Sequence, residues 1–143
     1  MSVYVDANVL VALFVIDTHN ERAEKAVAAL RDNLVVSSLS AAEFSSVIAR
    51  RVRTRDLQAA EARTAFTNFD TWCARYTRRT EIEGSDFATA MGLIRRLDLP
   101  LRTPDALHIA VAQRTGCALL TLDAALAKIA ALLDVEVVRA SRA

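Results

Sequence analysis

Glycine, proline and cysteine are all scarce in this chain of 143 residues, at three, two and two. So few backbone breakers exclude a collagen-like or low-complexity chain, and a 53% hydrophobic content argues against disorder. Cys73 and Cys117 lie far apart and match no metal-ligand spacing, so neither a disulfide framework nor a thiolate metal site is expected. No apolar run approaches the roughly 18 residues of a membrane helix, because charged residues interrupt each long candidate. Asp6 stands where a secretory signal would carry positive charge, and the expectation is a soluble, cytoplasmic protein without membrane attachment. A net charge of +1 excludes the strongly basic footprint of a protein that coats nucleic acid. Lysine is scarce too: only Lys25 and Lys128 stand among 18 basic residues, the rest being arginine. Arginine's planar fork suits phosphate, and genomic base composition explains the enrichment equally well.

What is present reads as strands alternating with helices. The buried strands are Val3-Tyr4-Val5, residues 34–37, residues 118–122 and residues 135–138, with Glu81-Ile82-Glu83 as a short alternating strand near an edge. Apolar periodicity predicts helices over 9–16 (entered through Asn8), 21–31 (capped by Asn20), from Ser40 with Glu43 completing a capping box, and from Asp56 toward Tyr76. Further helices are expected over 86–97 after Ser85, 106–114 after Thr103-Pro104-Asp105, and after Asp123 through Leu133. This order implies an α/β fold, a parallel sheet covered on both faces. With no repeat, linker or low-complexity segment, residues 1–143 are expected to form one domain.

Four of the seventeen acids stand out. Asp6 and Asp123 follow apolar strands, where open α/β sheets place their ligands. Glu43 lies in the first turn of the helix after the second strand, bordering its apolar stripe. Asp105 opens the most apolar helix in the chain. For any one of these acids a helix cap is the simpler explanation; the four together are more specific. Carboxylates gathered in one pocket raise each other's pKa unless a cation joins them. Oxygen donors without a His/Cys cluster select Mg²⁺ or Mn²⁺. They could hold one ion, or two about 3.5–4 Å apart that clamp the attacking and leaving oxygens of a phosphodiester.

Val5-Asp6-Ala7-Asn8-Val9-Leu10, Ser40-Ala41-Ala42-Glu43-Phe44, Thr103-Pro104-Asp105-Ala106-Leu107-His108-Ile109-Ala110 and Leu120-Thr121-Leu122-Asp123 occur in this order along essentially the whole chain. In these motifs the sequence resembles the PIN-domain family, and within it the VapC-type toxins of bacterial toxin–antitoxin modules. The resemblance implies a three-layer α/β/α fold with a central parallel sheet in the order 3-2-1-4-5. It also implies an Mg²⁺- or Mn²⁺-dependent endoribonuclease with RNA as substrate, a cognate VapB-like antitoxin as partner, and a homodimer. Asp6, Glu43, Asp105 and Asp123 align with the family's acidic quartet, Asn8 and Thr121 with supporting polar positions. By their chemistry Asp6 and Asp105 are assigned to the principal metal. Glu43 could orient or deprotonate the attacking water, and Asp123 could hold a second ion or outer-shell waters.

Other residues carry blander readings. His108, one turn after Asp105, is expected to be a packed residue with one hydrogen bond, and His19 to be exposed. The arginines of 50–55, of 75–79 and of 95–102 are by default solvated helix faces, one of which could meet RNA phosphates. The Phe66, Phe69, Trp72 and Tyr76 stripe is expected in the core, with part of it open to a partner. Three alternatives remain: a non-toxic PIN-domain RNA-processing nuclease, an Mg²⁺-binding phospho-acceptor module and a non-catalytic binding module. The phospho-acceptor class wants a mid-chain acceptor aspartate and a lysine late in the sheet, whereas here Glu83 ends the mid-chain strand and Lys128 lies within a helix.

Overall fold

The computed structural model describes residues 1–15, 19–30 and 33–138. The elements in chain order are β1 (Val3–Val5), α1 (Ala7–Phe14), α2 (Asn20–Leu30), β2 (Leu34–Ser37), α3 (Ser38–Arg53), α4 (Ala59–Tyr76), β3 (Thr77–Thr80), α5 (Gly84–Arg95), α6 (Thr103–Thr115), β4 (Ala118–Leu120), α7 (Ala124–Leu132) and β5 (Val137–Val138). The five strands pair in parallel in the order β3-β2-β1-β4-β5. The sheet therefore grows outward from β1 to β3 and then returns to place β4 on the other side of β1. The crevice beyond the carboxyl ends of β1 and β4 is a topological switch point.

Strand side chains alternate between the two faces, and the core divides accordingly. Val3, Val5, Leu34, Val36, Ala118 and Leu120 pack with residues of α1 to α4 on one face. Tyr4, Val35 and Leu119 pack with Ile109, Val111, Leu126 and Ile129 of α6 and α7 on the other. Helix α5 covers α6 through Ala90, Ala106 and Leu107. These are the three layers of an α/β/α sandwich. The aromatic stripe of α4 mostly belongs to the first core half: Phe69 lies 4.3 Å from Phe44 and 5.7 Å from Phe14 between ring centroids, and Trp72 lies 5.5 Å from Phe14. Tyr76, at its end, is exposed.

Several boundaries differ from the sequence reading. The third strand is Thr77–Thr80, not 81–83. It is a half-exposed edge whose Arg78 and Arg79 pair in register with Val35 and Val36, so it carries no apolar pattern to read. Helix α3 is capped by Ser37, whose Oγ accepts from the Ser40 amide at 2.9 Å, so Ser40 lies inside the helix. Asp6, rather than Asn8, caps α1. Helix α4 starts at Ala59, where Gln58 and Glu61 form the capping box, while Asp56 accepts from the Thr54 hydroxyl in the preceding turn. Glu83 and Arg102 occupy the N-cap positions of α5 and α6, one residue or more ahead of Ser85 and Thr103. Asn20 begins α2 itself and donates to the Ala12 carbonyl at 2.7 Å. Strand β4 ends at Leu120 and β5 begins at Val137. The expected helix ends at Ile16 and Arg31 lie outside the described residues.

One ionic clamp fastens α5 and the segment before it to α6. Arg114 Nε donates to Asp86 Oδ1 at 2.8 Å, its terminal nitrogens reach Asp86 Oδ2 at 3.0 Å and the Glu81 carbonyl at 2.9 Å, and a further ion pair joins Glu83 at 3.3 Å. Asp86 is 1% exposed. Burial pushes its carboxyl up, but the Arg114 hydrogen bonds and charge and the Glu83 amide together hold it below the ordinary carboxylate range. A carboxyl so lowered contributes stability above its unfolded pKa and loses it as pH falls through its folded value. Replacement Arg114→Met strands a buried carboxylate and should cost about 3 kcal/mol in urea unfolding near neutral pH. The deficit relative to wild type should shrink in acid, once Asp86 is protonated in both proteins.

Candidate functional site

Asp6 is the first residue past β1, and its amide still donates to the Leu120 carbonyl at 3.0 Å, extending the ladder with β4. This pins the residue at the switch point. Its Oδ1 accepts from the Ala7 amide at 2.7 Å, capping α1. Its Oδ2 accepts from the Thr121 hydroxyl at 2.7 Å, joining the ends of the first and fourth strands. The same Thr121 oxygen accepts from Asn8 Nδ2 at 3.1 Å and from the Asp123 amide at 3.0 Å, using its one proton and both lone pairs. Asn8 Oδ1 in turn accepts from the Leu122 amide at 3.1 Å. Asn8 and Thr121 thus lock α1 to the β4–α7 connection.

The other acids arrive from separate elements. Asp123 caps α7, its Oδ1 accepting from the Ala125 and Leu126 amides at 2.9 and 3.1 Å. Asp105 occupies the first turn of α6 and meets the Arg102 amide at 3.4 Å. Arg102 Nε lies 3.9 Å from Asp105, but that guanidinium is 89% exposed and leaves the carboxylate's charge largely uncompensated. Glu43 projects from α3. Asp6, Asn8, Glu43, Asp105 and Asp123 line one cleft of about 390 Å³, together with His19, Val47 and Arg51. Two larger clefts, of about 640 and 740 Å³, lie along α3–α4–β3 and at the α1–α4 corner. Neither receives a strand-end carboxylate, so the smaller cleft is where the chemistry gathers.

His108 is packed, as expected, but makes more than one hydrogen bond. It is 1% exposed, and both its nitrogens are engaged. Nε2 is hydrogen-bonded to Glu43 Oε1 and lies 3.6 Å from Asp6 Oδ1; Nδ1 lies 2.6 Å from the Tyr4 hydroxyl. Asp6, Glu43 and His108 each offer a ligand atom within 4.8 Å of the others, a cluster capable of coordinating a divalent ion. The sequence did hold a signal for it. Tyr4 is a hydroxyl-bearing residue in a buried strand, which needs a polar partner, and His108 sits one helical turn beyond Asp105.

Burial raises the Asp6 carboxyl above its ordinary range and the Glu43 charge adds to the rise; His108, Thr121 and the Ala7 amide oppose it. A buried carboxylate destabilised in this way beside a second one is what a hard divalent cation would offset; Asp6 and Glu43 supply oxygen donors of the kind such an ion takes, and Asp105 and Asp123 line the same cleft. The residues present fit such an ion.

A parallel α/β/α sandwich with an acidic, cation-competent cleft at its switch point defines the class. The chain belongs to the PIN domain family, whose profile matches residues 3–132. No curated protein matches the chain by sequence. Among solved structures it is similar to Mycobacterium tuberculosis VapC20, a sarcin-ricin loop cleaving toxin, at 18% identity and TM-score 0.74, covering 90% of this chain and 95% of that one. It is similar to VapBC2 from Rickettsia felis bound to a promoter DNA fragment, at 12% identity and TM-score 0.72, covering 96% and 98%. FitAcB from Neisseria gonorrhoeae is similar at 17% identity and TM-score 0.71, with 96% of each chain covered. Identities this low establish the shared fold. Among the described residues no helix is long and apolar enough to cross a membrane.

A group whose folded pKa is raised, as for Asp6, stabilises the fold below its unfolded pKa and loses that contribution as pH rises through the folded value. Binding of a cation should therefore raise the thermal midpoint most near neutral pH and little in mild acid, where protons compete for the carboxylates. Differential scanning fluorimetry with and without millimolar Mn²⁺ across that range measures it; equal shifts at both ends would contradict the assignment.

Proposed function

We propose that this chain is a Mg²⁺- or Mn²⁺-dependent endoribonuclease of the VapC toxin kind, hydrolysing RNA phosphodiester bonds and silenced by a cognate VapB-like antitoxin. The observation that carries the reading is the convergence of Asp6, Glu43, Asp105 and Asp123, drawn from four elements, on one cleft. In this reading Asp6 and Asp105 hold the principal cation, and Asp123 supports a second ion or its waters. Glu43, partly open to the cleft, orients or deprotonates the attacking water. The bound cation supplies Lewis acidity, neutralising charge on the phosphoryl oxygens and acidifying water. Asn8 and Thr121 keep Asp6 in one rotamer, so the carboxylate is fixed before substrate arrives.

Glu43, Val47 and Arg51 follow one another at four-residue spacing on α3 and all reach the cleft. Of the three arginine groups, the one on α3 therefore has a member at the acidic site, and we assign Arg51 to an RNA phosphate beside the cut. A toxin–antitoxin complex from Klebsiella pneumoniae is among the solved structures that share this fold, which supports a similar partner here; a homodimeric, cytoplasmic protein of one PIN domain completes the proposal.

Asparagine caps helices as well as aspartate does. Asp6→Asn should therefore keep the far-UV circular dichroism of wild type while abolishing Mg²⁺-dependent cleavage of RNA and growth arrest on expression. Cleavage at the wild-type rate would remove Asp6 from the site. Arg51→Ala should raise KM with kcat nearly unchanged. It should also flatten the dependence of RNA affinity on salt by about 0.7 in log–log slope, the loss of one phosphate contact.

A further inference from the structure

His108 is among the largest fully buried side chains, and the hydrolytic reading gives it no task. Its surroundings are built, however. Val35 and Ser37 share the sheet face of the neighbouring Tyr4, because side chains two apart on a strand point the same way and Tyr4 pairs with Val35. The Ser37 hydroxyl consequently meets the Tyr4 hydroxyl at 2.6 Å. Ser37 is itself held by the Ser40 amide at 2.9 Å, and Ser40 donates to the Val5 carbonyl at 2.9 Å. Tyr4 then holds His108 Nδ1 at 2.6 Å, with the two rings 5.4 Å apart and tilted by 60°. At the far end Nε2 meets Glu43. The chain of contacts runs unbroken from the end of β2, through the middle of β1, to a carboxylate in the cleft.

Chemistry decides what the last link does. A carboxylate oxygen without a proton only accepts hydrogen bonds, so in the Glu43 contact it is Nε2 that supplies the hydrogen, and in that arrangement it offers a metal no lone pair. This holds whether Nδ1 accepts from Tyr4 or donates to it. The geometry points to His108 as a positioning residue: its Nε2–H fixes the Glu43 carboxylate beside Asp6, and Tyr4, braced by Ser37, fixes the imidazole. This inference rests on the cleft being a cation site that Glu43 meets directly or through the water it orients, and it makes His108 a support of that carboxylate instead of a ligand itself. Outer groups that hydrogen-bond a metal's carboxylates and imidazoles are commonly worth about 10–100-fold in metal affinity.

The test uses Tyr4→Phe, which deletes one buried hydroxyl and leaves every residue of the cleft in place, with His108→Gln and His108→Leu as a second pair. Circular dichroism verifies the fold of each. In isothermal titration with Mn²⁺ alone, Tyr4→Phe should bind about 10-fold more weakly than wild type or worse. His108→Leu should lose at least as much, and His108→Gln, which keeps an N–H near the Nε2 position, should recover a large part of the loss. Electron spin-echo spectroscopy of the Mn²⁺-loaded wild type should show no directly bound nitrogen. In metal-free protein, long-range ¹H–¹⁵N spectra should show a protonated, slowly exchanging His108 Nε2, a signal that Tyr4→Phe broadens. Nitrogen bound to Mn²⁺, or Mn²⁺ affinity unchanged in both Tyr4→Phe and His108→Leu, would overturn the inference. Failure of the wild type to bind Mn²⁺ at all would defeat the cation-site reading instead, and the metal-free spectra would still show whether His108 Nε2–H is held as described.

Discussion

The hydrogen bond from Thr121 to Asp6 ties together two segments 115 residues apart, at the one place where the sheet reverses its direction of growth. Both residues lie immediately past parallel strands that pair directly, so the backbone ladder brings them side by side before any side chain acts. The single hydroxyl then does three things: it donates to Asp6 and accepts from Asn8 and from the Asp123 amide. With its proton and lone pairs all committed, it cannot turn, and neither can Asp6. The positions of α1 and α7 follow, since Asp6 and Asp123 are their caps.

That constraint opposes the stability of the isolated fold at one point. Asp6 is almost fully buried, next to Glu43 and without a lysine or arginine partner among the described contacts. Burial disfavours its charge more strongly than any neighbour favours it. Elsewhere the same fold handles a buried acid differently: Asp86 receives a forked guanidinium and ionises more easily than in water. The contrast between two buried aspartates separates a structural ion pair from a carboxylate kept available for something that arrives later.

Much of this was legible in the chain. Strands β1, β2 and β4 are central, buried on both faces, and so appear as uninterrupted apolar runs. The acids at their ends are visible because a carboxylate abutting such a run has few reasons to be there. The edge strand Thr77–Thr80 was not legible, because one side of it lacks a partner strand and both faces admit polar residues. Its location was fixed by the register with β2, a long-range property. Helix starts slipped for a related reason. Several residues near each start can cap a helix, and the one used is chosen by where the strand delivers the chain, as when Ser37 at the end of β2 pre-empted Ser40. His108 was placed near Asp105 by helical spacing, yet the same spacing could not reveal that Glu43, from another layer of sequence, would face its ring.

The two readings of the acids, as helix caps and as a site, turn out not to compete. Asp6 and Asp123 each accept, through Oδ1, from amides that open a helix, and Asp105 sits in the first turn of a third. Helix N-termini carry partial positive charge and favour anions. Three such ends therefore meet at the cleft, and they temper the repulsion among carboxylates that would otherwise drive one another toward the neutral form. A cap uses one oxygen of a carboxylate and leaves the group charged. Asp6 accepts at both oxygens within the protein, but from neutral donors that favour its ionised form without neutralising it, and they only partly oppose the effect of burial. The elements that carry the acids thus also make their assembly tolerable, and a fold with helices starting at the carboxyl ends of parallel strands provides that arrangement without any residue dedicated to it.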